Sequence, residues 1–187
     1  MSLPELLLTP LGWAFRSRRG DERLSLVRSL AGLELPAITV TSPAFAHGGT
    51  IPAQYCGRWI GANVSPPLEW AGTPAGTRSL LLLIEDIDVP TARPGIHTIA
   101  LLDASVERLR EGDLSAGVPY VTFVPDDRGR TAYVGPRPLP GHGPHHYRFH
   151  VLALDRPAEP ASGPDALVAT LQGHVLAAGC LEGVRRA

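Results

Sequence analysis

The sequence contains no lysine: all 17 basic residues in this chain of 187 are arginine. This absence excludes a P-loop lysine for nucleotide phosphates and a lysine Schiff base for covalent catalysis. An excess of charge is lacking too, because 18 acidic residues bring the net charge to −1. The chain therefore has no basic footprint typical of nucleic-acid binding, and we expect no nucleic-acid partner.

Cysteine is scarce, and Cys56 and Cys180 lie far apart with no CxxC pair, which excludes a zinc ribbon and a dithiol redox motif. We therefore expect two unpaired thiols in a reduced, cytoplasmic protein. The apolar stretch 6–15 lacks the basic flank that precedes a signal-peptide core, and it is too short to span a bilayer. No targeting or transmembrane segment is indicated.

Glycine (20 residues) and proline (19 residues) are abundant, which indicates many turns and argues against a long helical bundle. Short apolar runs at residues 38–41, 79–84, 96–102 and 145–155 predict strands. The run at 79–84 (SLLLLI) is continuously apolar, as in a central strand buried on both faces. The sequence predicts a mainly β fold with a few peripheral helices.

Helical spacing predicts a further helix at the C-terminus. Pro164 suits the first turn, and apolar residues recur at helical spacing from Leu167 to Cys180. Gly183 and the two arginines after it are typical of a helix end.

A change of composition near Pro36 divides the chain into a helical appendage, residues 1–36, and a β-rich domain, residues 37–187. The arginines of the appendage leave open a contact with a membrane surface. Because the basic run is short, we favour packing of the appendage on the β core or on a second copy in a homodimer.

Two helices are predicted in the appendage. Pro10 is placed to open a short helix that runs to Arg18. Asp21 is placed to cap a second helix, whose apolar face extends from Leu24 to Leu33.

Acidic and imidazole side chains gather where the predicted strands end. Asp86 and Asp88 leave the end of the run 79–84, and His97 stands at the start of the next strand. If these strands are antiparallel neighbours, Asp86 lies close to His97, because only a ten-residue loop separates them. Such a pair can activate water as a general base or serve a structural role, and both remain open.

The sequence lacks the usual motifs of metal-dependent and serine-nucleophile catalysis. His142, His145, His146 and His150 are close in sequence but lack an HExxH motif or another metal-ligand spacing, so we expect neither metal nor cofactor. A GxSxG nucleophile elbow is also absent.

Five ordered motifs resemble the phosphatidylethanolamine-binding protein family, and the chain is most similar to its bacterial, Raf-kinase-inhibitor-like branch. The resemblance covers residues 37 to about 184. Its motifs are 41–45 (TSPAF) with 49–52 (GTIP), 63–70 (NVSPPLEW), 86–90 (DIDVP) with His97, the loop 135–147, and 173–177 (GHVLA).

The resemblance implies an antiparallel β-sandwich with a small pocket for anions such as phosphate. Carried over by motif, the ligand-binding residues are Asp86, Asp88, His97, Gly135, Pro136, Pro138, Gly141, His145 and Tyr147. His145 and the Tyr147 hydroxyl would donate to a phosphate, Asp86 would accept from an ammonium group, and His97 would orient Asp86.

The implied function is non-enzymatic binding of a phosphate-containing small molecule or lipid head group, such as phosphoethanolamine. Docking on a kinase or protease, as the branch name suggests, is an alternative, and a weak hydrolase using Asp86 and His97 is another. Three departures from the family pattern predict a wider or less aromatic pocket wall. DIDVP lacks its first proline, residues 94–96 (PGI) replace aromatic residues, and Leu139 replaces a proline.

Overall fold

A computed structural model describes residues 3–31 and 35–187. Its α-helices are α1 (Leu3–Phe15), α2 (Leu26–Leu30) and α3 (Pro164–Leu171). Its strands are β1 (Thr39–Thr41), β2 (Gly49–Thr50), β3 (Leu68–Ala71), β4 (Ser79–Asp86), β5 (Gly95–Asp103), β6 (Arg108–Leu109), β7 (Val121–Phe123), β8 (Pro144–Leu154) and β9 (Val175–Arg186).

The strands form two sheets, so the prediction of a mainly β sandwich is confirmed. The larger sheet has six strands in the order β2-β9-β8-β4-β5-β7, and the smaller has three in the order β1-β3-β6. All pairs of named strands are antiparallel except β2 with β9. The predicted antiparallel pairing of the strands around residues 79–84 and 96–102 is confirmed as β4 with β5.

The central strand β4 is buried along its whole length because both faces of the larger sheet are covered. Leu80 and Leu82 point into the core between the two sheets, where Trp70 belongs to the same cluster. Leu81 and Leu83 point to the opposite face, beneath α2 and α3. Because successive side chains of a strand alternate between faces, a strand that contributes to a core on each face needs an uninterrupted apolar run.

The N-terminal segment packs on this second face of the sheet through α2. Leu26 and Leu30 are buried there. Glu85 of β4 binds the start of this helix. Its carboxylate accepts hydrogen bonds from the Ser25 hydroxyl over 2.6 Å and from the Leu26 backbone N–H over 2.8 Å. Burial raises the pKa of Glu85, and these two hydrogen bonds partly oppose the rise.

The predicted starts and ends of the N-terminal helices are partly wrong. Helix α1 already includes Leu3, contains Pro10 in its interior, and ends at Phe15 rather than near Arg18. Pro10 cannot donate a backbone hydrogen bond, yet the helix continues through it. Asp21 caps only a 3₁₀ turn at Glu22–Leu24, so α2 begins after it. The predicted apolar position Leu33 lies outside the described residues.

The predicted C-terminal helix is correct only in its first half. Helix α3 ends at Leu171, and Gly173 then adopts a positive φ of 83°, as a residue following a helix end often does. The rest of the predicted helix is strand β9, including Cys180 and Gly183, paired with β8 along nearly its whole length. Apolar spacing does not distinguish a short helix from a buried strand, and the long-range pairing with β8 decides between them.

Candidate functional site

The ends of three neighbouring strands meet at one edge of the larger sheet and open into a cavity. Asp86, the last residue of β4, pairs with Gly95 at the start of β5 and with Tyr147 near the start of β8. The cavity has a volume of about 620 Å³, and Asp86, His97 and His145 line it. This volume lies within the usual range of small-molecule sites.

A buried aspartate–histidine pair stands at the inner end of this cavity. Asp86 and His145 are each only 2% exposed, and Nδ1 of His145 lies 2.8 Å from Oδ2 of Asp86. Since a carboxylate accepts, Nδ1–H donates, and this fixes the imidazole ring. Nε2 of His145 is buried and has no hydrogen-bond partner among the described residues. One ring nitrogen of His145, a residue of the cavity wall, is therefore left unsatisfied by the protein.

His97 enters the cavity because of a β-bulge. Ile84 pairs with Thr98 and Glu85 with Ile96, so His97 is the extra residue of β5. A bulge of this kind re-aims one side chain and is frequent beside functional sites. Nδ1–H of His97 donates to the carbonyl of Val134 over 2.9 Å.

The other ring nitrogen of His97 faces the aspartate. Nε2 lies 4.0 Å from Oδ2 of Asp86, so the two side chains are close but not hydrogen-bonded. Burial lowers the pKa of His97, although the Asp86 carboxylate opposes the shift. His97 is therefore neutral at pH 7.

Tyr147 supports the site from below. Its side chain is fully buried, and its ring centroid lies 5.2 Å from that of His97 and 6.4 Å from that of His145. Its hydroxyl accepts the backbone N–H of Arg137 over 3.2 Å. Burial raises the pKa of Tyr147, and the nearby Asp86 raises it further, so the hydroxyl keeps its proton.

Asp88 holds the rim of the site. Oδ2 of Asp88 accepts the backbone N–H of His146 at 2.8 Å and lies 2.6 Å from Nδ1 of His146. Oδ1 lies 2.6 Å from Nε of Arg19, a residue of the N-terminal segment. Burial alone would raise the pKa of Asp88, but the hydrogen bonds from His146 and the charges of His146 and Arg19 outweigh it and lower the pKa.

The predicted glycines and prolines of the loop 135–147 shape its backbone. Gly135 passes so close to the backbone at Tyr55 that a Cβ would overlap it. Gly141 has a φ of 81°, and a Cβ there would overlap the carbonyl oxygen of Thr9 in α1. Pro136 and Pro138 are buried between them. Arg137 and Leu139 of the loop line the cavity, as does Val134 just before it.

Arginines on the cavity wall are the functional feature that sequence reasoning missed. Arg93, Arg128, Arg130 and Arg137 all line the cavity, against two carboxylates, Asp86 and Asp127. Arg130 is bound to Asp126 and donates to the carbonyl of Ile96 over 3.1 Å. A charged turn at residues 126–130 (DDRGR) is visible in the sequence, but nothing local shows that it meets Arg93 and Arg137.

The remaining wall is aliphatic, and it includes positions where the sequence departs from the family pattern. Val89, Ile96 and Leu139 line the cavity, and His97 and His145 are the only ring-bearing side chains other than proline among the lining residues that the structure describes. Ile96 and Leu139, two of the residues that depart from the family pattern, therefore stand on the wall of this cavity.

His142, another member of the histidine cluster, lies beside the site without facing a metal. Its Nε2 lies 3.0 Å from the carbonyl oxygen of Arg18, and its ring centroid is 4.8 Å from that of His145. Within residues 3–31 and 35–187, no group of three His, Cys, Asp or Glu side chains is arranged to hold a metal ion. Across the same ranges, every helix is too short or too polar to traverse a bilayer.

Comparison with known proteins gives a consistent result. Residues 41–186 match the family described as phosphatidylethanolamine-binding protein. The UPF0098 protein PH1269 of Pyrococcus horikoshii is 33% identical over 159 residues, which cover 82% of this chain and 78% of that protein. LppC of Mycobacterium tuberculosis, whose name describes it as a lipoprotein, is 36% identical over 155 residues, covering 73% of each chain.

Solved structures share the fold. YBCL of E. coli, described as a new member of the mammalian PEBP family, matches with a TM-score of 0.72 and 26% identity over 80% of this chain and 98% of its own. The phosphatidylethanolamine-binding protein homologue CT736 of Chlamydia trachomatis matches with a TM-score of 0.69 and 31% identity, over 81% of this chain and 98% of its own.

Proposed function

The chain belongs to the phosphatidylethanolamine-binding protein family, and from this premise we propose that its cavity binds the phosphate group of a small molecule or lipid head group. One observation carries the proposal: His145 lines a cavity whose wall carries four arginines, and its buried Nε2 has no hydrogen-bond partner among the described residues. Buried polar atoms are rarely left unsatisfied, so a ligand or water is expected at this nitrogen.

The chemistry of the inner pair suits a phosphate oxygen. Because Asp86 fixes Nδ1 of His145 as a donor, Nε2 is the ring nitrogen left to meet an ionised phosphate. A charge-assisted hydrogen bond of this kind to a phosphate is about twice as strong as a neutral one. Arg137 and the other arginines on the wall add positive potential to the outer part of the cavity, away from the phosphate position at His145.

We propose binding rather than turnover. A general base must lie within hydrogen-bond reach of the proton it removes, and its partner must orient it. Asp86 and His97 are 4.0 Å apart, and Nδ1 of His97 is held by Val134 instead. This geometry argues against a general base formed by Asp86 and His97, and we expect no hydrolysis of a panel of phosphoesters and carboxylic esters by the pure protein.

The proposal is tested by titrating inorganic phosphate and O-phosphoethanolamine into the protein while NMR follows the histidine ring protons. Saturable shifts at His97 and His145 are expected. His145→Gln should weaken binding about tenfold or more, because a ligand-facing nitrogen that can carry charge is lost.

His146→Gln is the matched control. His146 is the next residue on β8, but its side chain faces Asp88 at the rim rather than the cavity. Binding by this variant should stay within about twofold of the parent. Phosphate that leaves the ring signals unmoved, or equal losses in the two variants, would contradict the proposal.

We also propose a cytoplasmic location. Its support is that Cys56 and Cys180 are both free thiols, as in proteins of reducing compartments. Cell fractionation tests this proposal, and recovery of the protein with the membrane or outside the cell would contradict it.

A further inference from the structure

We infer that the preferred ligand of this cavity carries a second anionic group in addition to its phosphate, and no ammonium group. The inference rests on the proposed function, since it concerns the ligand of the same site. It follows from which charged side chains of the site are already occupied and which are free.

The aspartate inside the cavity is already occupied by protein donors. Oδ2 of Asp86 accepts Nδ1–H of His145 at 2.8 Å, and Oδ1 accepts the backbone N–H of Asp88 at 2.9 Å. An ammonium group of a ligand would have to compete with both hydrogen bonds at a carboxylate that is only 2% exposed. Asp86 is therefore poorly suited to bind a cation.

Asp88 is equally occupied. Its two carboxylate oxygens are taken by His146 and by Arg19, and it is not among the residues that line the cavity. Arg19 lies outside residues 41–186, the part of the chain that matches the family. The N-terminal segment of this chain thus supplies a cation that neutralises the second aspartate.

Three arginines of the cavity are free. Arg130 is bound to Asp126, but no ion pair or side-chain hydrogen bond within residues 3–31 and 35–187 involves the guanidinium of Arg93, Arg128 or Arg137. The remaining carboxylate on the wall, Asp127, is solvent-exposed. Free guanidinium groups therefore outnumber free carboxylates in this cavity.

The positions of these groups suggest how a ligand lies. His145 is buried at the inner end, whereas Arg93, Arg128 and Arg137 are exposed at the mouth. A phosphate at His145 leaves a second anionic group, such as a carboxylate, within the arginine-lined part of the cavity. Arginine binds carboxylate and phosphate through two parallel hydrogen bonds, which suits either group.

Three phosphorylated probes of similar size separate the possibilities. O-phosphoethanolamine carries a phosphate and an ammonium group, O-phosphoserine adds a carboxylate, and 3-phosphoglycerate has a hydroxyl in place of the ammonium. At constant ionic strength, calorimetry should show 3-phosphoglycerate binding tightest and O-phosphoethanolamine weakest. Each step should be several-fold, and the whole range about tenfold or more.

Arginine variants identify the source of this preference. Arg137→Gln and the double variant R93Q/R128Q should weaken 3-phosphoglycerate binding about tenfold while changing O-phosphoethanolamine binding about twofold or less. Arg78→Gln is the matched control, because Arg78 is exposed and precedes β4 at the end opposite Asp86. It should change neither affinity.

The outcomes distinguish this inference from the proposed function. If O-phosphoethanolamine binds as tightly as 3-phosphoglycerate, or if the arginine variants weaken both probes equally, the inference is overturned and the phosphate site stands. If no probe and no inorganic phosphate binds, the proposed function fails and the inference fails with it.

Discussion

Asp86 and Asp88 are two residues apart at the end of one strand, and each is paired with a histidine, yet they have different roles. Asp86 and His145 are both buried at the inner end of the cavity. The side chains of His146 and Arg19, the partners of Asp88, are 35% and 38% exposed at its rim. One aspartate positions a buried imidazole on the cavity wall, and the other ties the N-terminal segment to the site.

The difference follows from strand geometry and from burial. His145 and His146 are consecutive on β8, so their side chains point to opposite faces. A hydrogen bond to a charge is worth more where water cannot replace the lost partner. Two similar pairs should therefore respond differently to the same substitution.

The largest expected effect comes from removing each carboxylate in turn. Asp86→Ala should lower the free energy of unfolding by about 3 kcal/mol, because it leaves buried donors of His145 and Asp88 unsatisfied. Asp88→Ala should cost about half as much, because water reaches its partners. Urea unfolding measures both, and equal losses would contradict the comparison. Phosphate binding should be lost only in Asp86→Ala.

The next effect tests how α1 supports the rim. A Cβ on Gly12 would overlap the carbonyl oxygen of Pro140, so Gly12→Ala should push α1 off the loop beneath it at a cost of about 2 kcal/mol. Trypsin should then cut after Arg16 and Arg18 several-fold faster. Ala14→Ser, on the exposed face of the same helix, is the control and should leave the cleavage rate unchanged.

A smaller effect is expected from the ion pair at the rim. Arg19→Gln removes the 2.6 Å contact with Asp88 and should cost about 0.5–1 kcal/mol, because the arginine is partly exposed. Added salt should shrink the difference from the parent protein by screening the charges. Arg16→Gln changes an exposed arginine that is in none of the ion pairs of the described residues, and it should have no effect. A salt-independent loss would contradict this account.

The smallest effect is a pH dependence that belongs to Asp88. Its pKa is lowered from 3.8 in the folded protein, so its pairing stabilises the fold fully above that pH. As pH falls through the lowered pKa, the stabilisation is lost. The difference in unfolding free energy between the parent and Asp88→Asn should therefore be present at pH 5 and shrink below about pH 4. A difference that persists at pH 2.5 would contradict the assigned pairing.

Sequence reasoning was most successful where local pattern and tertiary structure agree. The continuous apolar run became the central strand β4, and its antiparallel partner β5 followed the next loop, as predicted. It was least successful at the C-terminus, where the apolar spacing of residues 175–180 fits a helix as well as a strand. Eleven paired positions with β8 make this segment a strand, and no local signal contains that pairing.

Part of the candidate site was also visible in the sequence. Asp86, His97 and His145 were identified from motifs and strand ends, and all three line one cavity. Arg19 and the arginines of the wall were not identified, because they lie in separate segments whose meeting depends on loop conformation. Surface arginines occur in any soluble protein, so the presence of an arginine does not by itself indicate a binding site.

The sequence by itself determined the strands β1, β4, β5 and β8, the buried character of β4, and which acidic and imidazole side chains stand at the strand ends. Side-chain alternation and apolar runs are local properties, so they can be recognised without a fold. Only the tertiary structure decided that β9 is a strand, that a bulge directs His97 into the cavity, and that free arginines face an occupied aspartate. Those features depend on contacts between distant segments, which form only when the chain is folded.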